Sequence, residues 1–401
     1  MLFGGSRRNR NHRLRKTETL VIRSVVEAGR KLEVLRNGFN YMATSECHLI
    51  ATFGDGCTVV LRIMHPSSWR YQRILATIIL LTVLTTVVIY AIQSYAYHRQ
   101  LGLDTVWDGN VEDFTYPENV TFIVPNIVHF IRLGDAPLSF VEAVCMRAAW
   151  LQQRPEALMI HCDKCNATME SPLWYLVKDL PGLTLRYIQR PTEIFGVKLR
   201  YIQHTSDVVR AVVLMKHGGI YLDGDAYLVK NLDVYRRYEM SVGWYPGGSV
   251  GTQVLVAHKD ARYLKLWYDS YRMYRPELWY WNAGDLPTKR FLSVRPDLVN
   301  RVPYDFGVSE ALVDTLYMEC NNKWRAHSAF HLLLRHRARM VPADFAKYGT
   351  LTLENIPNYD RNFGQMARLV LSGTTRLGAS EVKTIDWFSK HPLEYSKRAC
   401  S

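Results

Sequence analysis

Between Ile74 and Ile92 the chain reads ILATIILLTVLTTVVIYAI, nineteen residues without a charge, a proline or a glycine. At about 1.5 Å per helical residue the run is roughly 28 Å long, close to the thickness of a hydrocarbon core. A helix packed in a soluble core keeps a polar face, and this run has only threonines, which can bond their own backbone. The spacing therefore predicts a membrane-spanning helix over 74–92. Its flanks are uneven in charge. Residues 1–73 hold 13 Lys+Arg against 5 Asp+Glu, a net +8 out of +13 for the whole chain. Arg62, Arg70 and Arg73 lie just before the run, and only His98 and Arg99 follow it closely. Cationic flanks stay on the cytoplasmic side, so a single-pass type II topology is expected, with the chain after the helix across the membrane. The run is too long and begins too late for a cleaved signal peptide. Topology accounts for the basic segment, and no nucleic-acid motif accompanies it, so no nucleic acid partner is expected.

The far side reads as lumenal. Both glycosylation sequons, Asn119-Val120-Thr121 and Asn166-Ala167-Thr168, follow the helix. Cys145, Cys162, Cys165, Cys320 and Cys400 also follow it, an odd number, so at least one stays free or pairs between chains. Cys162 and Cys165 have CxxC spacing, but no second such pair completes a zinc site. A disulfide from this pair to another cysteine is the expectation.

Past a polar stem the pattern alternates. Asn126–Ile131, Leu158–His161 and Leu183–Ile188 read as strands, and Phe140–Gln153 has helical spacing. Pro172–Asp179 suggests a short helix. Ser206 is placed to cap a helix that runs to His217 and ends at Gly218-Gly219; Ile220–Leu222 is then a strand stopping at Asp223. Strands alternating with helices imply an α/β fold, a Rossmann-type mostly parallel sheet with helices on both faces. The aromatic stretch Trp267–Trp281 follows, then a basic helical stretch over Asn322–Arg339 and a polar C-terminal tail. The expected division is 1–73 basic cytoplasmic tail, partly disordered; 74–92 membrane helix; 93–121 stem; 122–348 catalytic domain; 349–401 its C-terminal extension.

Chemistry concentrates at Gly218-Gly219-Ile220-Tyr221-Leu222-Asp223-Gly224-Asp225. Two carboxylates one residue apart, on a tight turn permitted by glycine at a strand end, make a hard-oxygen site for Mn²⁺ or Mg²⁺. Parallel sheets bind ligands at the carboxyl ends of their strands, which is where this pair falls. Alone, the pair is equally well a solvated turn. Its context differs: Ser206-Asp207-Val208-Val209-Arg210 opens the preceding helix, with Asp207 and Arg210 on one face.

Together, Ser206-Asp207-x-x-Arg210, Leu214, Gly218-Gly219-Ile220-Tyr221-Leu222-Asp223-x-Asp225 and the opening Ile123–Phe130 resemble glycosyltransferase family 32 and its relatives. The resemblance covers Ile123 to Asp233 and weakens beyond. It implies a GT-A-like catalytic domain in the Golgi lumen that takes a nucleotide sugar, UDP-linked, as donor. A glycolipid or glycoprotein would be the acceptor and Mn²⁺ or Mg²⁺ the cofactor, with retention at the sugar. It implies that Asp225 is the principal metal ligand, that Asp223 shares the ion and contacts the donor, and that Asp207 and Arg210 hold the sugar's hydroxyls. Phe130 and Arg132 would flank the nucleoside. His331, with His327 behind it, is the candidate third ligand. The segment Asn282-Ala283-Gly284-Asp285 departs from the family's Gly-Pro pattern, which keeps a second reading open: a catalytically degenerate lumenal protein that binds a sugar or nucleotide. A glycoside hydrolase would set its two carboxyl groups about 5–9.5 Å apart across the scissile bond, which suits one turn poorly.

Overall fold

The computed structural model describes residues 46–52, 58–64, 69–100, 108–391 and 393, with side chains for 73–93, 108–391 and 393. Contacts divide the chain into two units, Met1–Arg99 and Gln100–Ser401. In the first, Glu46–Thr52 pairs antiparallel with Thr58–Met64. The basic segment expected as a partly disordered tail thus contains a hairpin, in keeping with the β-branched run of its second strand. A helix follows over Trp69–Gln100, and Arg73–Gln93 within it has a mean hydropathy of 2.5, long and apolar enough to cross a membrane. Its threonines turn inward as expected: the hydroxyls of Thr77, Thr82 and Thr86 donate to carbonyls four residues back at 2.6–3.0 Å. These threonine hydroxyls are satisfied by the helix's own backbone.

The second unit is built from β1 (Ile127–Arg132), α1 (Phe140–Gln153), β2 (Ala157–Cys162), β3 (Leu183–Tyr187), α2 (Ile202–His217), β4 (Gly219–Leu222), β5 (Ala226–Leu228), β6 (Met240–Trp244), β7 (Val250–Ala257), α3 (Arg262–Ser270), β8 (Asn300–Val302), β9 (Ala329–His331) and α4 (Asn362–Ser372), joined by short helical turns. Seven strands form one sheet in the order β8-β6-β7-β4-β1-β2-β3. Only β7 opposes its neighbours β4 and β6; every other pairing is parallel. The sheet is therefore the mostly parallel one that the alternating pattern implies.

Period-two alternation divides the sheet's side chains between two cores. From β4, Ile220 and Leu222 join a core with α1 and α4, and Tyr221 faces the opposite core with α2 and α3. Helices cover both faces. Helix α1 begins where the sequence reading placed it, because Ser139 and Glu142 form a reciprocal capping box. At the sheet's centre, β1 and β2 bring His129 Nδ1 within 3.0 Å of His161 Nε2, while His129 Nε2 lies 2.8 Å from the Gly218 carbonyl. Burial pushes both imidazoles down, His129 to about 4 and His161 to about 3.

Four local expectations are corrected. Helix α2 begins at Ile202, a turn before Ser206, so Ser206 lies inside it and is not the cap. There its hydroxyl accepts a bond from Arg210 at 3.3 Å. Asn322–Arg339 is not one helix: 3₁₀ turns flank β9, because pairing with β5 outweighs local spacing. The C-terminal region is not a polar tail, since Phe363, Met366, Leu369 and Val370 of α4 recur at helical spacing and are buried in the core that holds β1. Cys162 and Cys165 are disulfide-bonded to each other rather than to a third cysteine. Cys320 is also disulfide-bonded, and Cys145 is free and buried.

Candidate active site

Two glycines set the approach to the site. Gly218 and Gly219, at φ 63° and 112°, end α2 and turn the chain straight into β4. A Cβ on Gly219 would stand 2.6 Å from the Ile127 carbonyl oxygen, so β4 can lie this close to β1 only without a side chain there. At the far end of β4 the Asp223 N–H donates to the Gln253 carbonyl at 2.9 Å, and the Ala226 N–H closes a turn onto the Asp223 carbonyl at 2.8 Å. Gly224 sits inside this turn without a left-handed φ. A Cβ there would stand 3.1 Å from Glu142 Cγ, so a larger residue would have to push that side chain aside by a few tenths of an ångström.

The turn's carboxylates face different partners. Asp223 Oδ1 accepts the Tyr221 hydroxyl at 2.5 Å and lies 3.1 Å from Arg210 Nη1. Arg210 Nη2 is 3.0 Å from Asp207 Oδ1, so one guanidinium bridges two carboxylates. It also donates to the Thr252 carbonyl at 2.8 Å and lies over the Tyr221 ring. Burial raises the Asp207 carboxyl to about 6 against the pull of Arg210. The i,i+3 spacing on α2 creates the pair, and the Gly-Gly turn brings Asp223 up to it.

Asp225 belongs to the second pairing. The β5–β9 register sets His331 opposite Ala226, so the imidazole Nε2 falls 3.3 Å from Asp225 Oδ1. The Leu334 N–H donates to the other carboxylate oxygen at 3.3 Å. Burial alone would raise Asp225, but His331 and this N–H reverse that and hold the carboxyl at about 2. One ligand atom from each of Asp223, Asp225 and His331 can be chosen so that all lie within 4.8 Å of one another. Adjacent corners of an octahedron with bonds of about 2.1 Å lie about 3.0 Å apart, close to the His331–Asp225 spacing. Two carboxylate oxygens suit Mn²⁺ or Mg²⁺, and the imidazole favours Mn²⁺ of the two. The residues fit a divalent ion.

A cavity of about 610 Å³ opens on this group, lined by Glu142, Asp207, Arg210, Asp223, Asp225 and His331, and by Trp279, Tyr280 and Arg335. Five of the residues that the resemblance marks as donor or metal ligands thus meet in one place. Phe130 does not: its ring is 0% exposed in the core above α1, and a ring with no free surface cannot flank a nucleoside. Arg132 stands behind the wall, its guanidinium bound to Glu142 at 2.9 Å, Thr168 at 2.8 Å and the Ala136 carbonyl at 2.9 Å. His327 bonds the Tyr304 carbonyl outside the cavity. Glu142, Gln253 and Arg335 escaped the sequence reading because their only signals were a capping position, a strand and a basic stretch. The aromatic stretch divides: Trp267, Tyr271 and Tyr274 are core, whereas Trp279 and Tyr280 face the cavity. Gly284 permits this, since a Cβ there would strike the Tyr280 ring at 2.2 Å.

Residues 142–242 match the family model described as the glycosyltransferase sugar-binding region containing DXD motif. Glucan organizing enzyme 1 of Cryptococcus neoformans var. grubii is 26% identical over 183 residues, covering 41% of this chain and 48% of that protein. The chain thus spans about half the length of this curated relative. Among solved structures, the PaToxG glycosyltransferase is 18% identical with a TM-score of 0.32, over 43% of this chain and 70% of that one. The apo-form glycosyltransferase GlyE of Streptococcus pneumoniae is 11% identical with a TM-score of 0.29, over 46% of each chain.

Proposed function

We propose that the chain is a metal-dependent, retaining glycosyltransferase of the family 32 type anchored in the Golgi membrane, a reading supported by the match of residues 142–242 to the glycosyltransferase sugar-binding region containing DXD motif. The chain moves a hexose or N-acetylhexosamine from a nucleotide sugar, UDP-linked, to a glycan on lipid or protein. The observation that carries this reading is the convergence of Asp223, Asp225 and His331 in the cavity that also holds the Asp207–Arg210 pair. The apolar helix over Arg73–Gln93 supports the anchor, and the excess of cations before it supports the type II orientation.

In this mechanism Asp223, Asp225 and His331 would hold the ion, which would supply Lewis-acid stabilisation to the departing phosphate. The chain's own groups do the rest. Asp207 and Arg210, locked by their mutual bond and by Thr252, offer an acceptor and a donor to the sugar hydroxyls and fix C1 toward the cavity. The bond from C1 to the diphosphate oxygen breaks, and its electron pair stays on the phosphate. The acceptor oxygen bonds to C1 on the same face, and its proton passes to the released diphosphate, so no strong protein base is needed. Trp279 and Tyr280 form an aromatic wall suited to the apolar face of a sugar ring.

The test is nucleotide release by the full chain in detergent, given Mn²⁺ and a panel of UDP- and GDP-sugars. Release from one donor is expected, abolished by a chelator and by Asp225→Asn. Mn²⁺-dependent binding without release across the panel would favour the degenerate, sugar- or nucleotide-binding reading instead.

A further inference from the structure

Beyond the ion and the sugar-holding pair, one charged group in the cavity has no assigned partner. The charge of Arg210 is offset by Asp207 and Asp223 on either side. Arg335 lines the same cavity and is exposed; its charge acts on Asp207 and Asp225, but among the described residues it forms no ion pair within 4 Å. Its guanidinium lies 5.9 Å from the centre of the Trp279 ring, an orienting cation–π contact that leaves its donors free.

The chain reaches this position by an unusual path. After His331 it folds back over the DXD turn: the Leu332 N–H donates to the Asp225 carbonyl at 2.8 Å, and the Leu334 N–H to the Asp225 side chain at 3.3 Å. Between them Leu333 takes φ 51°, ψ 33°, a left-handed conformation that a branched, bulky residue adopts only under tertiary constraint. The constraints are visible, since the Tyr317 hydroxyl donates to the Leu332 carbonyl at 2.6 Å and the Leu333 side chain is buried. The turn delivers an imidazole, a backbone N–H and a guanidinium to one carboxylate-bearing site within five residues.

We propose that Arg335 binds the diphosphate of the nucleotide donor, and that the Leu333 turn serves to present it there. This rests on the reading given under Proposed function and adds a residue to it. As the bond to C1 breaks, its electron pair leaves an additional negative charge on the distal phosphate. A fixed guanidinium beside that oxygen stabilises this charge more than it stabilises the intact donor. A planar fork matches two phosphate oxygens, which an ammonium cannot do.

Calorimetry on the full chain in detergent with Mn²⁺ separates the possibilities, using UDP and GDP beside their monophosphates. For the nucleotide that the wild type prefers, Arg335→Ala should weaken the diphosphate by about tenfold or more and the monophosphate by less than about threefold. Arg335→Lys should fall between, and the melting temperature should hold because the side chain is exposed. Diphosphate affinity within about twofold of wild type in Arg335→Ala would overturn the assignment. So would equal weakening of both nucleotides, which would mark Arg335 as general lining of the cavity. Failure of the wild type to bind any of the four with Mn²⁺ would instead overturn the glycosyltransferase reading, and this inference with it.

Discussion

Gly219 and Phe130 show how differently single residues near the site contribute. Gly219 has both a left-handed φ and a neighbouring carbonyl where a Cβ would stand, so Gly219→Ala should cost roughly 2 kcal/mol or more in a urea titration. A loss below about 0.5 kcal/mol would mean that β1 and β4 move apart freely. Phe130 is a core residue, so Phe130→Leu should lower stability by roughly 1 kcal/mol and leave nucleotide affinity within about twofold. A tenfold loss of affinity at unchanged stability would restore it to the binding site. Asp207, Arg210, Asp223 and Asp225 stood out in the sequence because their spacings are short-range, i,i+3 on a helix and i,i+2 on a turn, and the family resemblance supplied the roles expected of them. Arg335 did not, because only the left-handed turn at Leu333 directs it to the cavity, and leucine gives no sign of such a turn.

At the level of elements, α1, β1 to β4 and the end of α2 were readable within a residue or two, since each has a clear period and a local stop signal. The glycine pair marks one helix end in the sequence, and the structure adds the capping box that sets the start of α1. Elements whose identity depends on a distant partner were not readable. Ala329–His331 becomes a strand only because β5 lies opposite, and in isolation its neighbourhood has helical spacing. Likewise α4 looked peripheral by position, yet it fills the core beside α1. Its Arg368 is buried, with bonds to the Ile356 and Tyr359 carbonyls at 2.8 Å. A chain stopped after Gly349 should therefore lose cooperative unfolding and aggregate on expression, as size-exclusion chromatography and circular dichroism would show. A soluble, cooperatively folded truncation would contradict this packing account.

For the molecule as a whole, the buried histidine pair sets a dependence on pH. Unfolded, both imidazoles titrate near 6.5; folded, His129 and His161 stay neutral down to about 4 and about 3. The unfolded chain takes up protons first, so stability is full above pH 6.5. It is lost as pH falls, by roughly 1.4 kcal/mol per pH unit and per histidine, while Asp207, raised to about 6, takes up its proton first in the folded chain and offsets about one histidine's share below pH 6. Urea midpoints between pH 6.5 and 5 should drop on this slope, and His161→Gln should flatten it; a flat wild-type profile would show that the pair is solvated. The DXD turn and the β5–β9 pairing together build one candidate divalent-metal site in the cavity. Electron paramagnetic resonance of Mn²⁺ added to the full chain with UDP or GDP reads this directly, because the free-ion signal falls as the ion is bound. One bound ion per chain is expected, abolished in Asp225→Asn and weakened by about 10- to 100-fold in His331→Ala. An undiminished free-ion signal with wild type, or binding unchanged in both variants, would contradict it.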